Sequence, residues 1–260
     1  ELSTAAGLAA SARVLRSFND TLATHCENIA KEIFDNVKTE KSGVASKLQA
    51  AVELYYTTKD SRYFDFVMDN WNTVVKDVSH SGWYTQRVAR EIVGQRKYRK
   101  QADAYDKALA EYARSLRSQS EASPYGVPYR PDIWGAGWTI QTFGYNYYFL
   151  SEAYPKLFPA ETVFNALNFV LGCHPGTNQA SFASGVGTKS ATVGYGLNRA
   201  DWSYIPGGVV SGTAVIRPDF PELLEWPYLW QQTEYVLGGG SSHYMFLVLA
   251  AQKLTDALGK

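Results

Sequence analysis

A single carboxyl group near the end of the chain has surroundings suited to acid catalysis. Glu234 is the only charged residue between Glu225 and Lys253, and its neighbours along the chain are aromatic, amide or apolar. We expect such neighbours to reduce the solvation of the carboxylate and so to raise its pKa. An acid that stays protonated near neutral pH is what glycosidic cleavage requires, because the leaving oxygen must be protonated. A buried glutamate that only supports the fold has the same pattern, so both interpretations stay open.

Residues that suit contacts with a sugar ring occur in the same loop-rich stretches or at their edges. The apolar C–H faces of a sugar stack on indole rings, while its hydroxyl groups bind amide and guanidinium groups. The candidates are Trp134, Trp138, Trp230, Asn198 and Arg199, with Gln141 close to the first two tryptophans. Glycines around Trp134 and Trp138 would let the backbone approach a ligand closely. A role in the core remains the alternative for each tryptophan.

Charge and cysteine usage exclude several classes of function. The chain has 25 basic and 25 acidic residues and no basic stripe, so we predict neither a nucleic-acid partner nor a membrane partner. The two cysteines and four histidines match no metal-ligand spacing, so we predict no metal site built from these side chains. No apolar run reaches the roughly 20 residues that span a bilayer. A glycosylation sequon at Asn19 is consistent with a secreted or periplasmic protein.

The elements that must position these residues are predicted to be helices. Apolar residues recur at helical spacing over 22–37, 44–55 and 63–78, with Asp20 as the expected cap of the first helix. The breaks are short and polar, which favours antiparallel helical hairpins. Further helices are predicted over about 98–116, 160–171 and 242–258, and one more ends near Tyr154.

A long segment without helical periodicity precedes the last helix. Between residues 172 and 227 glycine and proline are frequent, and segments of this kind in compact proteins are usually functional. No convincing paired strands are evident. Helical hairpins followed by a long loop segment predict an all-α toroid whose site lies at one rim.

Four segments resemble the later part of the catalytic domain of glycoside hydrolase family 9. They are Ser3-Thr4-Ala5-Ala6 before an alanine-rich helix, Gly126-Val127-Pro128-Tyr129 with Ile133-Trp134-Gly135-Ala136-Gly137-Trp138, Phe169-Val170-Leu171-Gly172-Cys173-His174-Pro175 followed by Ser181-Phe182, and Thr233-Glu234-Tyr235. The resemblance implies an (α/α)6 barrel, of which this chain forms roughly the second half as a single domain over residues 1–260. It also implies inverting hydrolysis of β-1,4-linked glucosyl or glucosaminyl chains, with Glu234 as the general acid.

Two departures from the family pattern bear on substrate and mechanism. Arg199 falls near the family's His-x-Arg substrate-contacting motif, but Leu197 replaces the histidine, which favours a divergent specificity. The Asp-Ala-Gly-Asp stretch that holds the family's water-activating aspartate is missing from the sequence, and Asp132 and Asp201 lack motif support as substitutes. We therefore expect the chain to need the N-terminal half of the same barrel as its partner, besides the oligosaccharide substrate.

Other functions on the same fold are weaker alternatives. The first is a noncatalytic carbohydrate-binding or assembly module. An unrelated toroid such as an isoprenoid cyclase would need an aspartate-rich metal motif, which the sequence lacks. No cofactor is predicted; calcium, which loops of the family sometimes bind through carbonyl oxygens, stays unassigned.

Overall fold

Helices make up most of the part of the chain that the computed structural model describes. That part comprises residues 1–39, 43–128, 136–173, 180–187, 189–190, 193–194, 204–210, 234–235 and 240–258. Its helices are α1 (Leu2–Leu15), α2 (Asp20–Asn36), α3 (Val44–Thr58), α4 (Ser61–Asp69), α5 (Trp71–Lys76), α6 (Val78–Ile92), α7 (Arg99–Glu121), α8 (Ala136–Ala153), α9 (Glu161–Val170) and α10 (Ser241–Leu258), with a 3-10 turn at Arg96–Tyr98. The all-α prediction is confirmed. Within the described residues, none of these helices has the length and apolarity that crossing a membrane demands.

Contacts within the chain form two compact units, residues 1–112 and 113–260, and the division falls inside α7. In the first unit α1 packs against α2 and α3. The buried face of α1 is made of alanines, and Ala5, Ala9 and Ala12 have no exposed surface. Small side chains let helix axes approach closely, which explains why three helices meet here. The assignment of residues 1–260 to a single domain stays a prediction.

The start and the apolar face of α2 differ from the prediction. Asn19, and not Asp20, is the N-cap residue, because its Oδ1 accepts a hydrogen bond from the Leu22 amide at 3.0 Å. The buried side chains of α2 are Ala23, Cys26, Ala30 and Phe34. Leu22 and Ile29, which the periodicity assigned to the core, are each 46% exposed. The buried face of α2 therefore combines two small alanines with Cys26 and Phe34.

The apolar pattern over residues 63–78 is distributed over three helices instead of one. Interruptions at Asn70 and Asp77 separate α4, α5 and α6. The Asn70 side chain donates a hydrogen bond to the Phe66 carbonyl oxygen at 2.8 Å, which competes with the continuation of the helix. Tyr63 and Trp71 remain buried on either side of the break.

The second unit is organised around α8, α9 and α10, which pack against one another. Gly144 lies where they meet: a Cβ atom at this position would lie 2.7 Å from Ala166 Cβ and 3.0 Å from Leu247 Cδ1. The neighbouring helices leave no room for a Cβ atom at this position, and this close packing explains a glycine in the middle of a helix. On another side of α8, Phe149 stacks on Phe246 of α10 with ring centroids 5.3 Å apart.

Two short parallel strand pairs, absent from the prediction, interrupt the loop region. Strand β1 (Ala180–Ser181) pairs with β2 (Lys189–Ser190), and β3 (Val193–Gly194) pairs with β4 (Glu234–Tyr235). Each strand has two residues, too few for an alternating pattern to be recognised in sequence.

Candidate functional site

The backbone of Glu234 is fixed by a strand pair. Val193 pairs with Glu234 and Gly194 with Tyr235, so the predicted acid lies in a ladder with a segment far earlier in the chain. Backbone pairing restrains the position of the residue before any side-chain contact is made. The position of the Glu234 side chain lies outside what the structure describes.

The loop region is anchored to α9 through Phe182. Its backbone amide donates to the Val170 carbonyl oxygen at 2.8 Å, and its carbonyl accepts from the Val210 amide at 2.9 Å. Phe182 is fully buried, and its ring lies 5.5 Å from that of Phe169. An antiparallel bridge between Ala183 and Val209 continues this pairing. Residues 180–187 and 204–210 therefore form an ordered base against the end of α9.

The glycines of the Gly185-Val186-Gly187 segment form a turn in this base. Gly185 and Gly187 have φ angles of +85° and +78°, which favour glycine. A Cβ atom at Gly187 would overlap the Leu171 carbonyl oxygen. Replacement of Gly187 would therefore meet both backbone strain and a backbone clash.

The N-terminal ends of α8 and α10 meet at Gly240. Gln141 of α8 donates from its side-chain Nε2 to the Gly240 carbonyl oxygen at 3.0 Å, directly before α10. Gln141 has no exposed surface. Its interpretation as a contact for sugar hydroxyls is therefore wrong; the side chain connects two helix ends, a role that nothing in its sequence context indicates.

Gly240 is surrounded closely on three sides. A Cβ atom there would lie 2.7 Å from Val209 Cγ1, 2.9 Å from Trp138 Nε1 and 3.0 Å from Gln141 Nε2. Trp138 is half-buried, and its indole Nε1 faces Gly240. Of the predicted site residues, Trp138 is the one whose side-chain surroundings are described, and it lies next to Gly240.

Aromatic rings extend from this junction along α8 and α10. The rings of Tyr145 and His243 have centroids 5.2 Å apart, and Tyr145 makes an edge contact with Phe246 at 4.8 Å. Thr142 Oγ1 lies 3.4 Å from His243 Nδ1. Burial raises the pKa of the Tyr244 phenol. In the described part of the chain, these contacts show His243 as part of an aromatic packing cluster and not of a Ser-His-Asp arrangement.

The other predicted site residues, Trp134, Asn198, Arg199 and Trp230, lie outside the described residues, as do Asp132 and Asp201. Their assignment to substrate binding stays a prediction. Among the described side chains, no cluster of three or more His, Cys, Asp or Glu residues is arranged to hold a metal ion. A cavity of about 520 Å³ lies in the first unit at the N-terminal ends of α1 and α3, where no sequence motif indicated a site.

Comparisons with known proteins agree with the family resemblance. The sequence profile of glycosyl hydrolase family 9 matches residues 1–195. A search of curated protein sequences found no match.

Similar solved structures include an endoglucanase from the termite Nasutitermes takasagoensis, with 16% identity and a TM-score of 0.67. A thermostable endoglucanase from Alicyclobacillus acidocaldarius has 18% identity and a TM-score of 0.70. The cellulase Cel9M of C. cellulolyticum, solved in complex with cellobiose, has 18% identity and a TM-score of 0.65. The matches cover 100%, 96% and 96% of this chain but only 65%, 54% and 62% of those chains. The chain thus has the fold of part of these (α/α)6 barrel enzymes and spans little more than half of their length.

Proposed function

The chain belongs to glycosyl hydrolase family 9, and from that premise we propose that it supplies the acid-bearing part of a glycoside hydrolase. The substrates proposed are β-1,4-linked glucosyl or glucosaminyl oligo- and polysaccharides. The observation that carries the proposal is the strand pair that fixes the backbone of Glu234 shortly before α10. Trp138, next to Gly240, adds an indole on which a sugar ring can stack.

The proposed reaction is hydrolysis with inversion at the anomeric carbon. Glu234 in its protonated form gives its proton to the leaving glycosidic oxygen, while a water activated by a second carboxylate attacks the opposite face of the sugar. The two carboxyl groups must lie roughly 6.5–9.5 Å apart to leave room for this water. Arg199, Asn198, Trp134 and Trp230 are proposed to bind the sugar rings beside Glu234.

The second carboxylate is proposed to come from the N-terminal half of the same barrel. The sequence of this chain has no Asp-Ala-Gly-Asp stretch. An inverting enzyme without its base cannot activate water, so the isolated chain should be inactive. The sequon at Asn19 supports a secreted or periplasmic location for the assembled enzyme.

The missing base also favours one alternative, a noncatalytic carbohydrate-binding or assembly module. Glu234→Gln separates the two functions, since it keeps the shape of the side chain and removes the transferable proton. Glu161→Gln, at an exposed position in the first turn of α9, is a matched control. Both variants are mixed with the N-terminal half and assayed on cello-oligosaccharides and chito-oligosaccharides.

For an enzyme, Glu234→Gln lowers the hydrolysis rate by about 100-fold or more, as expected for a lost general acid. Oligosaccharide affinity and melting temperature stay unchanged. A joint loss of affinity and stability would instead identify Glu234 as a structural support. Hydrolysis by the isolated 260-residue chain would refute the proposal that its base is supplied from outside. The oligosaccharide that is cleaved faster decides between glucan and glucosaminide specificity.

A further inference from the structure

A small cavity in the second unit is lined by residues of α7, α8 and α9. Its volume is about 260 Å³, which is room for a single sugar ring, and all of its lining residues belong to residues 113–260. Tyr147 lines it from α8 and follows Trp138 by nine residues, a distance of about 13 Å along the helix at about 1.5 Å per residue. The cavity is therefore separate from the junction that Trp138 forms with Gln141 and Gly240.

Charges of both signs line this cavity, among them Arg117 and Glu121 of α7. Both side chains are exposed, and neither forms an ion pair with a described side chain. Burial raises the pKa of the Tyr147 phenol, while its hydrogen bond with Thr162 and the positive charge of Arg117 act in the opposite direction. The Arg117 guanidinium is thus near enough to the Tyr147 hydroxyl for its charge to act on it.

Asn165 of α9 adds an amide whose orientation is fixed. Its Nδ2 donates to the Gly126 carbonyl oxygen at 3.2 Å, and a Cβ atom at Gly126 would lie 2.7 Å from the same nitrogen. Gly126 has a φ of +65°, a conformation that favours the glycine this close approach requires. Because Nδ2 is engaged, the Oδ1 atom of Asn165 is left as a hydrogen-bond acceptor at the cavity.

Apolar groups complete the lining and indicate the chemistry of a ligand. Leu157 is half-buried and Pro159 is exposed, and both line the cavity. A sugar has the matching composition, since its ring presents apolar C–H faces and each hydroxyl group both donates and accepts hydrogen bonds. The Glu121 carboxylate accepts from such hydroxyls, and the Arg117 guanidinium donates to them. An anion would meet the carboxylate and a cation the guanidinium, so a neutral ligand fits best.

We propose that this cavity is a second carbohydrate-binding site, which holds one residue of a neutral oligosaccharide through Arg117, Glu121 and Asn165. The preference for a neutral ligand rich in hydroxyl groups follows from the cavity alone. The choice of β-1,4-linked glucosyl or N-acetylglucosaminyl chains as that ligand rests on the proposed function. Such a site would bind the polysaccharide at a place where it is not cleaved.

The test follows two local signals of the full chain by nuclear magnetic resonance during titration with cellobiose or N,N′-diacetylchitobiose. The side-chain amide of Asn165 reports on the cavity, and the indole N–H of Trp138 reports on the junction with Gly240. Arg117→Met and Glu121→Gln remove one charged hydrogen-bonding group each. Lys107→Met, which removes an exposed cation elsewhere on α7, is the matched control. Melting temperatures confirm that all variants are folded.

The proposal predicts that the Asn165 signal shifts to saturation with at least one of the two sugars. Arg117→Met and Glu121→Gln should each raise the midpoint of that titration about tenfold, as the loss of a charged hydrogen bond does, and Lys107→Met should leave it unchanged. An Asn165 signal that does not respond, or that has the same midpoint in Arg117→Met and Lys107→Met, would overturn the proposal. So would saturation of the Asn165 signal by inorganic phosphate at lower concentration than by either sugar, since the cavity would then be an anion site.

The two reporters keep this inference distinguishable from the proposed function. A response of Asn165 without hydrolysis by the enzyme assembled with its N-terminal half would contradict the proposed function and leave the second site intact. Hydrolysis by that assembly without an Arg117-dependent response of Asn165 would contradict the second site and leave the proposed function intact.

Discussion

Gln141 and Gly240 connect the N-terminal ends of two helices through one buried hydrogen bond, from the Gln141 side-chain amide to the Gly240 carbonyl oxygen at 3.0 Å. The bond fixes Gly240 at the start of α10. Trp138 flanks the same glycine. Gly240 therefore lies between the connecting side chain of Gln141 and a tryptophan that is predicted to bind sugar.

Gly240→Ala should destabilise the chain by about 1–3 kcal/mol, because the added methyl group would overlap Val209 and crowd Trp138. Urea denaturation followed by tryptophan fluorescence measures the change. Gly7→Ala is the control, since its methyl group meets nothing within 4 Å. The control should gain roughly 0.5–1 kcal/mol from helix propensity. Equal effects of the two substitutions would contradict the close packing at Gly240.

Two buried glutamines allow the contribution of the Gln141 bond to be isolated. The Oε1 atoms of both Gln141 and Gln86 accept no hydrogen bond from the described residues, but only Gln141 has a described donor bond. Gln86→Leu should therefore be neutral or stabilising, because it removes a buried unpaired acceptor. Gln141→Leu should be less stable than Gln86→Leu by about 1 kcal/mol, since it removes one of the two hydrogen bonds that the Gly240 carbonyl oxygen accepts, the other coming from the Tyr244 amide. Differential scanning calorimetry of both variants tests the order, and the reverse order would count against the bond.

The bounds of helices with continuous apolar periodicity were predicted accurately from the sequence. The predicted helix over 160–171 corresponds to α9, and the one over 242–258 to α10, within one residue at each end. The apolar face of α2 was assigned incorrectly, because periodicity identifies apolar residues but not the neighbour that covers them. Leu22 and Ile29 have the spacing of core residues and yet lie exposed, while Ala23 and Ala30 have no exposed surface.

The chemistry of the candidate site stays a prediction, and its backbone arrangement could not be predicted from the sequence. An isolated carboxyl group among aromatic residues identified Glu234, but pairing of its strand with Val193 depends on contacts between distant segments. Two-residue strands leave no periodic pattern. Likewise, Gln141 reads as an ordinary polar residue of a helix start, and only its burial in the fold gives it a connecting role.

A partly buried ion cluster in the first unit should be costly to break by removing one of its charges. Arg13 Nη2 lies 2.7 Å from Glu53 Oε2, and Arg87 pairs with the other carboxylate oxygen. The Glu53 side chain is only 9% exposed, whereas the arginines are about one third exposed. Glu53→Gln leaves two guanidinium groups without their counter-charge and should cost about 2 kcal/mol, below the value for a fully buried pair.

The matched control for this cluster is Asp35→Asn, which breaks an exposed ion pair with Arg62 at 3.0 Å. That substitution should cost less than about 1 kcal/mol. Urea denaturation at low and at high salt separates the two sites, because salt screens the exposed pair and leaves the buried cluster largely unaffected. A Glu53→Gln variant as stable as Asp35→Asn would show that the cluster contributes little.

The acid sensitivity of the α1–α2 hairpin should depend on Glu27. Lys31 Nζ lies 2.5 Å from Glu27 Oε1, and Arg16 Nη2 lies 2.6 Å from Oε2. The hydrogen bond from Lys31 is the largest influence and, with Arg16, outweighs burial, so the pKa of Glu27 lies below its ordinary value of 4.5. A carboxyl group whose pKa is lowered by folding stabilises the folded state above its unfolded pKa, and this stabilisation is lost as the pH falls through the folded value.

Glu27→Gln should therefore be less stable than the unmodified chain above about pH 4.5 and equally stable once the pH lies below the folded pKa. Thermal unfolding followed by circular dichroism between about pH 7 and pH 3 measures this convergence. Glu32→Gln is the control on the same helix, since Glu32 has no ion pair among the described side chains, and its difference from the unmodified chain should not follow the same pH course. A stability gap for Glu27→Gln that persists at the lowest pH would show that the carboxylate charge is not what stabilises the hairpin.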